Sequence, residues 1–143
     1  MRILRFSLII LIFSFNLYAN SFDEAHREYL KGNYKKAVIL LRKSCNKNNA
    51  LACSNLAIFY YEGAKITQNL ILANRYNKIG CQLGNYQSCA NLAKLILEID
   101  FSKESILTSR NLLNKACVGG YKSACDDRNI LEQDYLQRSS FYE

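Results

Sequence analysis

Six cysteines stand at positions 45, 53, 81, 89, 117 and 125, three Cys-x7-Cys pairs that advance by 36 residues at each step. A period of about 20–50 residues marks stacked units, none of which can bury its apolar face alone. A chain with this beat is expected to be a solenoid. The even count further suggests one internal disulfide per unit, which places the protein outside the reducing cytosol.

The chain has no proline and only six glycines, so its breaks are few. Between them apolar residues recur at helical spacing. Leu56, Ala57, Tyr60 and Tyr61 form one stretch, and Leu70, Ala73, Tyr76 and Ile79 the next. Leu92, Ala93, Ile96 and Leu97 follow, then Ile106, Leu112, Leu113 and Ala116. No segment sustains a period of two. The expected fold is all-α, a right-handed α/α solenoid of antiparallel helix pairs. Its units cover about 22–45, 49–81 and 85–117, with a capping helix at 121–138.

The turns carry the same period. Asn48, Gly84 and Gly120 each lie three residues after the first cysteine of a pair. Asparagine and glycine best tolerate the left-handed backbone that ends a helix. Were Cys-x7-Cys one continuous helix, its cysteines would stand about 12 Å apart, beyond disulfide reach. A reversal between them brings the sulfurs together. Of the fifteen connectivities open to six cysteines, the pairing Cys45–Cys53, Cys81–Cys89 and Cys117–Cys125 is expected. Zinc is the rival use of six sulfurs, but Cys-x2-4-Cys knuckles are absent and His26 is the only histidine. No metal or other cofactor is expected.

At the N-terminus Arg2 and Arg5 precede an apolar run from Phe6 to Phe15, and Ala19 offers a cleavage point. The run is too short to span a bilayer and reads as a secretory signal over residues 1–19. The expected location is periplasmic or secreted, without a membrane span. Loss of the two arginines lowers the formal charge from +7 to +5. No acid lies between Glu28 and Glu62, where Lys31, Lys35, Lys36, Arg42, Lys43 and Lys47 fall. This basic third suits an acidic partner or cell envelope, or is simply a solvated helix face. Nucleic acid is not an expected partner, because no nucleic-acid-binding module is present.

The string Ala52-Cys53-Ser54-Asn55-Leu56-Ala57, followed by Tyr60-Tyr61-Glu62-Gly63, resembles the first helix of a Sel-one-like repeat, a relative of the tetratricopeptide repeat. Ala73, Tyr76 and Ile79-Gly80-Cys81 resemble its second helix, and Ser88-Cys89-Ala90-Asn91-Leu92-Ala93 restarts the pattern. The paired cysteines are similar to those of the secreted cysteine-rich subgroup, the Hcp proteins. The resemblance covers roughly residues 22–134. The first unit, with Tyr29, Gly32 and Tyr34, is closer to a tetratricopeptide repeat. In the third unit no glycine follows Ile99, and Asp100 to Ser102 must make the turn.

The resemblance implies penicillin binding and a β-lactamase-like activity as one functional reading. A serine β-lactamase requires Ser-x-x-Lys with two further elements converging on it. Ser44-Cys45-Asn46-Lys47 matches the first element, yet at an expected helix end, and the others are missing. No nucleophile, base and oxyanion donor can be assembled, so no catalytic residue is assigned. The leading reading is a binding scaffold for a protein or peptide, expected to be a monomer. A cell-wall fragment or β-lactam is the alternative ligand. Asn55 and Asn91, two residues after the second cysteine of their pairs, would stack as a ladder on the inner face, with Asp127 at the third step. An amide offers both a donor and an acceptor to an extended peptide, or alternatively fixes helix packing. Tyr60 and Tyr61 are further groove candidates; being adjacent, only one can face the groove while the other packs inward.

Overall fold

The structure, a computed structural model, describes residues 21–139. The leader segment expected at 1–19 lies outside them. Seven helices follow one another among the described residues: α1 (21–30), α2 (Tyr34–Cys45), α3 (Ala50–Glu62), α4 (Leu70–Gln82), α5 (Tyr86–Ile99), α6 (Lys103–Val118) and α7 (Ser123–Ser139). Among the described residues there is no strand. The helices pair as α1/α2, α3/α4 and α5/α6, and α7 closes the array. This is the all-α solenoid of antiparallel pairs expected from the cysteine period.

Each reversal between units is built from the same parts. Asn48, Gly84 and Gly120 take left-handed φ values of 64°, 87° and 97°. The next residue then caps the following helix in two of the three cases. Asn49 Oδ1 accepts from the Ala52 amide at 3.0 Å, and Asn85 Oδ1 from the Ser88 amide at 2.8 Å. A capped first turn satisfies donors that the helix itself cannot. Across these reversals run the disulfides Cys45–Cys53, Cys81–Cys89 and Cys117–Cys125, with Cα–Cα distances of 4.8, 4.6 and 4.8 Å.

Within units the connections differ. Left-handed Gly63 ends α3, and a loop runs to Asn69, whose side chain caps α4. Between α5 and α6 only Asp100 to Ser102 remain. There the Asp100 carboxylate accepts from the hydroxyls of Ser102 at 2.7 Å and Ser105 at 2.6 Å. Those bonds hold its pKa below the usual carboxylate value, Ser105 contributing most. The period survives the shorter turn because α5 and α6 have 14 and 16 residues against 13 each in α3 and α4.

The core runs between the two helix layers. Leu41, Cys45, Cys53, Leu56, Ala57, Tyr60, Ala73, Tyr76 and, from the next unit, Leu95 form one cluster. Cys81, Cys89, Ala93, Ile106, Leu113, Ala116, Ala124 and Leu131 form a second. First helices also meet across units: α3 touches α5, Tyr61 bonds to Glu98, and Lys94 pairs with Asp127 of α7. Second helices meet less widely, through single contacts such as Lys115 Nζ of α6 donating to the Cys81 carbonyl of α4 at 3.2 Å. The array therefore curves with its first helices inside and its second helices outside.

Candidate functional site

The inner face carries two adjoining pockets. One lies between α1 and α3, lined by Phe22, His26, Tyr29, Asn55, Phe59 and Lys65 among others. The next lies between α3 and α5, lined by Ala57, Tyr61, Asn77, Asn91, Lys94 and Leu95 among others. Ile58 and Glu62 line both, so the two are continuous along α3. Their volumes of about 260 and 290 Å³ fall just below the usual range for a pocket enclosing a whole small molecule.

Asn55 lines the first pocket and Asn91 the second, one repeat apart. Both are half-buried. Among the described residues neither side chain makes a hydrogen bond, so neither amide is spent on fixing helix packing. Asp127, at the third step, is differently occupied: its Oδ2 stands 2.8 Å from Lys94 Nζ. That ion pair ties α5 to α7 at the far end of the groove.

The two tyrosines separate cleanly. Tyr60 departs from the groove expectation. It is 8% exposed, its ring stacks on Tyr76 at 5.8 Å, and its hydroxyl accepts from the Arg42 guanidinium at 2.8 Å. It is a core residue because α3 turns that position toward α2 and α4. Tyr61, one helical step round, is 43% exposed and lines the second pocket. Its hydroxyl donates to Glu98 Oε2 at 3.0 Å, which raises the phenol pKa and keeps Tyr61 a neutral donor.

Several lining residues were not anticipated from sequence. Tyr29 and Phe59 meet edge to face at 5.5 Å and wall the first pocket. Asn77 is more informative. It is 3% exposed, and its Oδ1 has no hydrogen-bond partner. An unpaired buried carbonyl of this kind costs about 1–3 kcal/mol. The signal was available: the repeat-equivalent positions hold Leu41 and Leu113, both core residues. Asn77 alone is polar there, and it borders the second pocket.

At the N-terminal end, Glu28 is a buried carboxylate. It accepts from Asn33 Nδ2 at 2.8 Å and Lys31 Nζ at 3.1 Å, with Lys36 Nζ at 3.4 Å. The Asn33 bond, then the Lys31 bond and the lysine charges, lower its pKa to about 2. This cluster pins α1 to α2 and is structural.

Ser44, of the Ser-x-x-Lys string, lines neither inner-face pocket. It is 1% exposed, and its Oγ meets no hydrogen-bonding partner. All six sulfurs are in disulfides, so none serves as a thiolate nucleophile or ligand.

No protein-family model and no curated protein sequence matches the chain. Among solved structures, cysteine rich protein B (hcpB) of Helicobacter pylori is similar at a TM-score of 0.62 and 20% identity. The alignment covers 81% of this chain and 92% of that one. The common ground is the fold, a solenoid of helix pairs, matched over nearly the full length of the Helicobacter protein.

Proposed function

We propose that the protein is an exported scaffold of the Sel-one-like repeat kind that binds an extended peptide or protein segment along its inner groove. One observation carries this reading. Asn55 and Asn91 stand one repeat apart, half-buried, in adjoining pockets, with both amides uncommitted. Paired donors and acceptors at a fixed interval match the alternating N–H and C=O groups of a peptide backbone. Glu62, exposed and without an ion pair among the described residues, lies between the pockets and favours a basic side chain in the ligand. Asn77 supplies a polar floor to the second pocket.

Export is supported by the three disulfides, which persist in oxidising compartments. Membership of the cysteine-rich Hcp subgroup rests on the cysteine period and on the likeness to the Helicobacter protein. The test is a fluorescence-polarisation screen of labelled peptide pools, basic and acidic, against the oxidised protein and its Asn55→Ala, Asn91→Ala double variant. The variant should retain its helix content and bind hits about 5- to 150-fold more weakly, equivalent to about 1–3 kcal/mol. Equal binding by both proteins would remove the backbone-reading role. Hydrolysis of a chromogenic cephalosporin by the pure protein would instead favour the enzyme reading.

A further inference from the structure

The charges are sorted between the two helix layers. The second helices, α2, α4 and α6, carry nine lysines and arginines and a single acid, Glu104. The first helices carry nine acids against four lysines and arginines. The inner layer is thus acidic and the outer layer basic, although the chain as a whole is only moderately cationic.

Some of the outer cations are occupied within the fold. Lys36 pairs with Glu28, Arg42 donates to Tyr60, and Lys115 donates to the Cys81 carbonyl. Lys35, Lys43, Arg75 and Lys78 are not. Among the described residues these four exposed side chains have no ion pair or side-chain hydrogen bond. They fall on one face of each helix. On α2 the buried set is Ala37, Val38, Leu41, Ser44 and Cys45, which leaves Lys35, Ile39 and Lys43 outward. On α4 it is Ala73, Tyr76, Asn77, Gly80 and Cys81, which leaves Ile71, Arg75 and Lys78 outward. One repeat on, Lys35 and Ile39 correspond to Ile71 and Arg75, and Arg42 to Lys78, so cation and isoleucine exchange places between the two outward faces.

Each face also exposes a large aliphatic side chain amid its cations. Ile39 is 63% exposed between Lys35 and Lys43, and Ile71 is 82% exposed one turn before Arg75. Cations alone suit any polyanion. Cations set beside exposed isoleucines suit a surface that has anionic headgroups above an apolar layer.

We infer that the outer face of α2 and α4 docks on an anionic phospholipid bilayer, with Lys35, Lys43, Arg75 and Lys78 at the phosphates and Ile39 and Ile71 entering the acyl boundary. The basic layer would then lie on the membrane and turn the groove toward solution. This role is independent of what the groove binds.

Co-sedimentation with vesicles of phosphatidylcholine and 0–50% phosphatidylglycerol (the mole fraction scanned, on the order used to titrate polybasic segments) tests it. The full chain and the chain from Asn20 are both measured, so that the apolar run near the N-terminus cannot stand in for the helix face. Partition should rise with the anionic fraction and fall with salt. Changing the four cations to Gln should lower it by more than about a hundredfold, at about fivefold for each cation. Ile39→Ser with Ile71→Ser should remove the part of binding that survives high salt. Circular dichroism and melting temperature should be unchanged in both variants, since every altered side chain is exposed. Absence of binding to anionic vesicles would overturn the inference. So would equal retention on dextran sulfate with no effect of the isoleucine changes, an outcome that assigns the face to a soluble polyanion.

Discussion

A Cβ added at Gly80 would stand 2.5 Å from Ser88 Oγ, closer than any side chain tolerates. The two residues precede the cysteines of the central disulfide and face each other across the reversal. The equivalent pairs are Ser44 with Ala52 and Ala116 with Ala124. Each unit solves one space differently: serine against alanine, glycine against serine, alanine against alanine. Gly80→Ala should therefore destabilise by about 1–3 kcal/mol through overpacking. Ser88→Ala removes a buried hydroxyl that has no partner and should be neutral or stabilising. The double variant recreates the pairing of the third unit. It should exceed the parent by about 1 kcal/mol, because alanine is the better helix former. Chemical denaturation of the four proteins measures this cycle, and additive single effects would refute the contact.

The disulfides should differ in accessibility. Cys45, Cys53, Cys81 and Cys89 are buried, at 3, 0, 4 and 0% exposure. Cys117 and Cys125 are only half-buried. Thiol–disulfide exchange requires access to a sulfur, so limited reduction followed by alkylation should label 117 and 125 first. Replacing the central pair by Cys81→Ser with Cys89→Ser should cost about 2–5 kcal/mol. Simultaneous labelling of all six cysteines would mean that the units open together.

The helical repeat and the reversals were legible because they depend on local chemistry. Left-handed residues at 48, 84 and 120 and cysteines at fixed offsets dictate a turn wherever they occur. The three-residue link at Asp100 was equally readable, since a turn had to replace the missing glycine. The roles of side chains within helices were less so. Tyr60 and Tyr61 differ by one step of a helix that is apolar almost all round, and burial on both sides of α3 erases the stripe that would orient it. Asn77 was hidden inside a helical pattern that counts apolar positions; comparison with Leu41 and Leu113 would have exposed it. Pairs such as Lys94–Asp127 and Tyr61–Glu98 join different units, and their registers follow from how the units stack rather than from spacing within one.

Acid should loosen the N-terminal unit first. Glu28 titrates at about 2 in the fold, against 4.5 as its ordinary value. A carboxylate with a depressed folded pKa stabilises the native state above its unfolded pKa, and that contribution is lost as pH falls through the folded one. The loss should therefore run from about pH 4.5 down to about 2. Glu28→Gln should melt lower than the parent near pH 6, and the gap should close toward pH 2.5. Melting curves at half-unit pH intervals measure it (steps fine enough to resolve a titration roughly two units wide). A gap independent of pH would mean that the side chain acts by shape rather than by charge.

Adjacent tyrosines should behave as opposites. Tyr60 is packed against Tyr76 and held by Arg42, so Tyr60→Ala opens a core cavity and should cost about 3–5 kcal/mol. Tyr60→Phe loses only the hydroxyl contact, about 1 kcal/mol, and should leave peptide binding unaltered. Tyr61 stands in the second pocket, 43% exposed and with its hydroxyl on Glu98. Tyr61→Ala should change stability by no more than about 0.5 kcal/mol while weakening any ligand that occupies that pocket. The contrast separates folding from binding at neighbouring positions of one helix. A ligand whose affinity is insensitive to Tyr61→Ala, yet lost in Asn55→Ala, would occupy only the pocket between α1 and α3. The groove would then read a shorter segment, anchored against Tyr29 and Phe59.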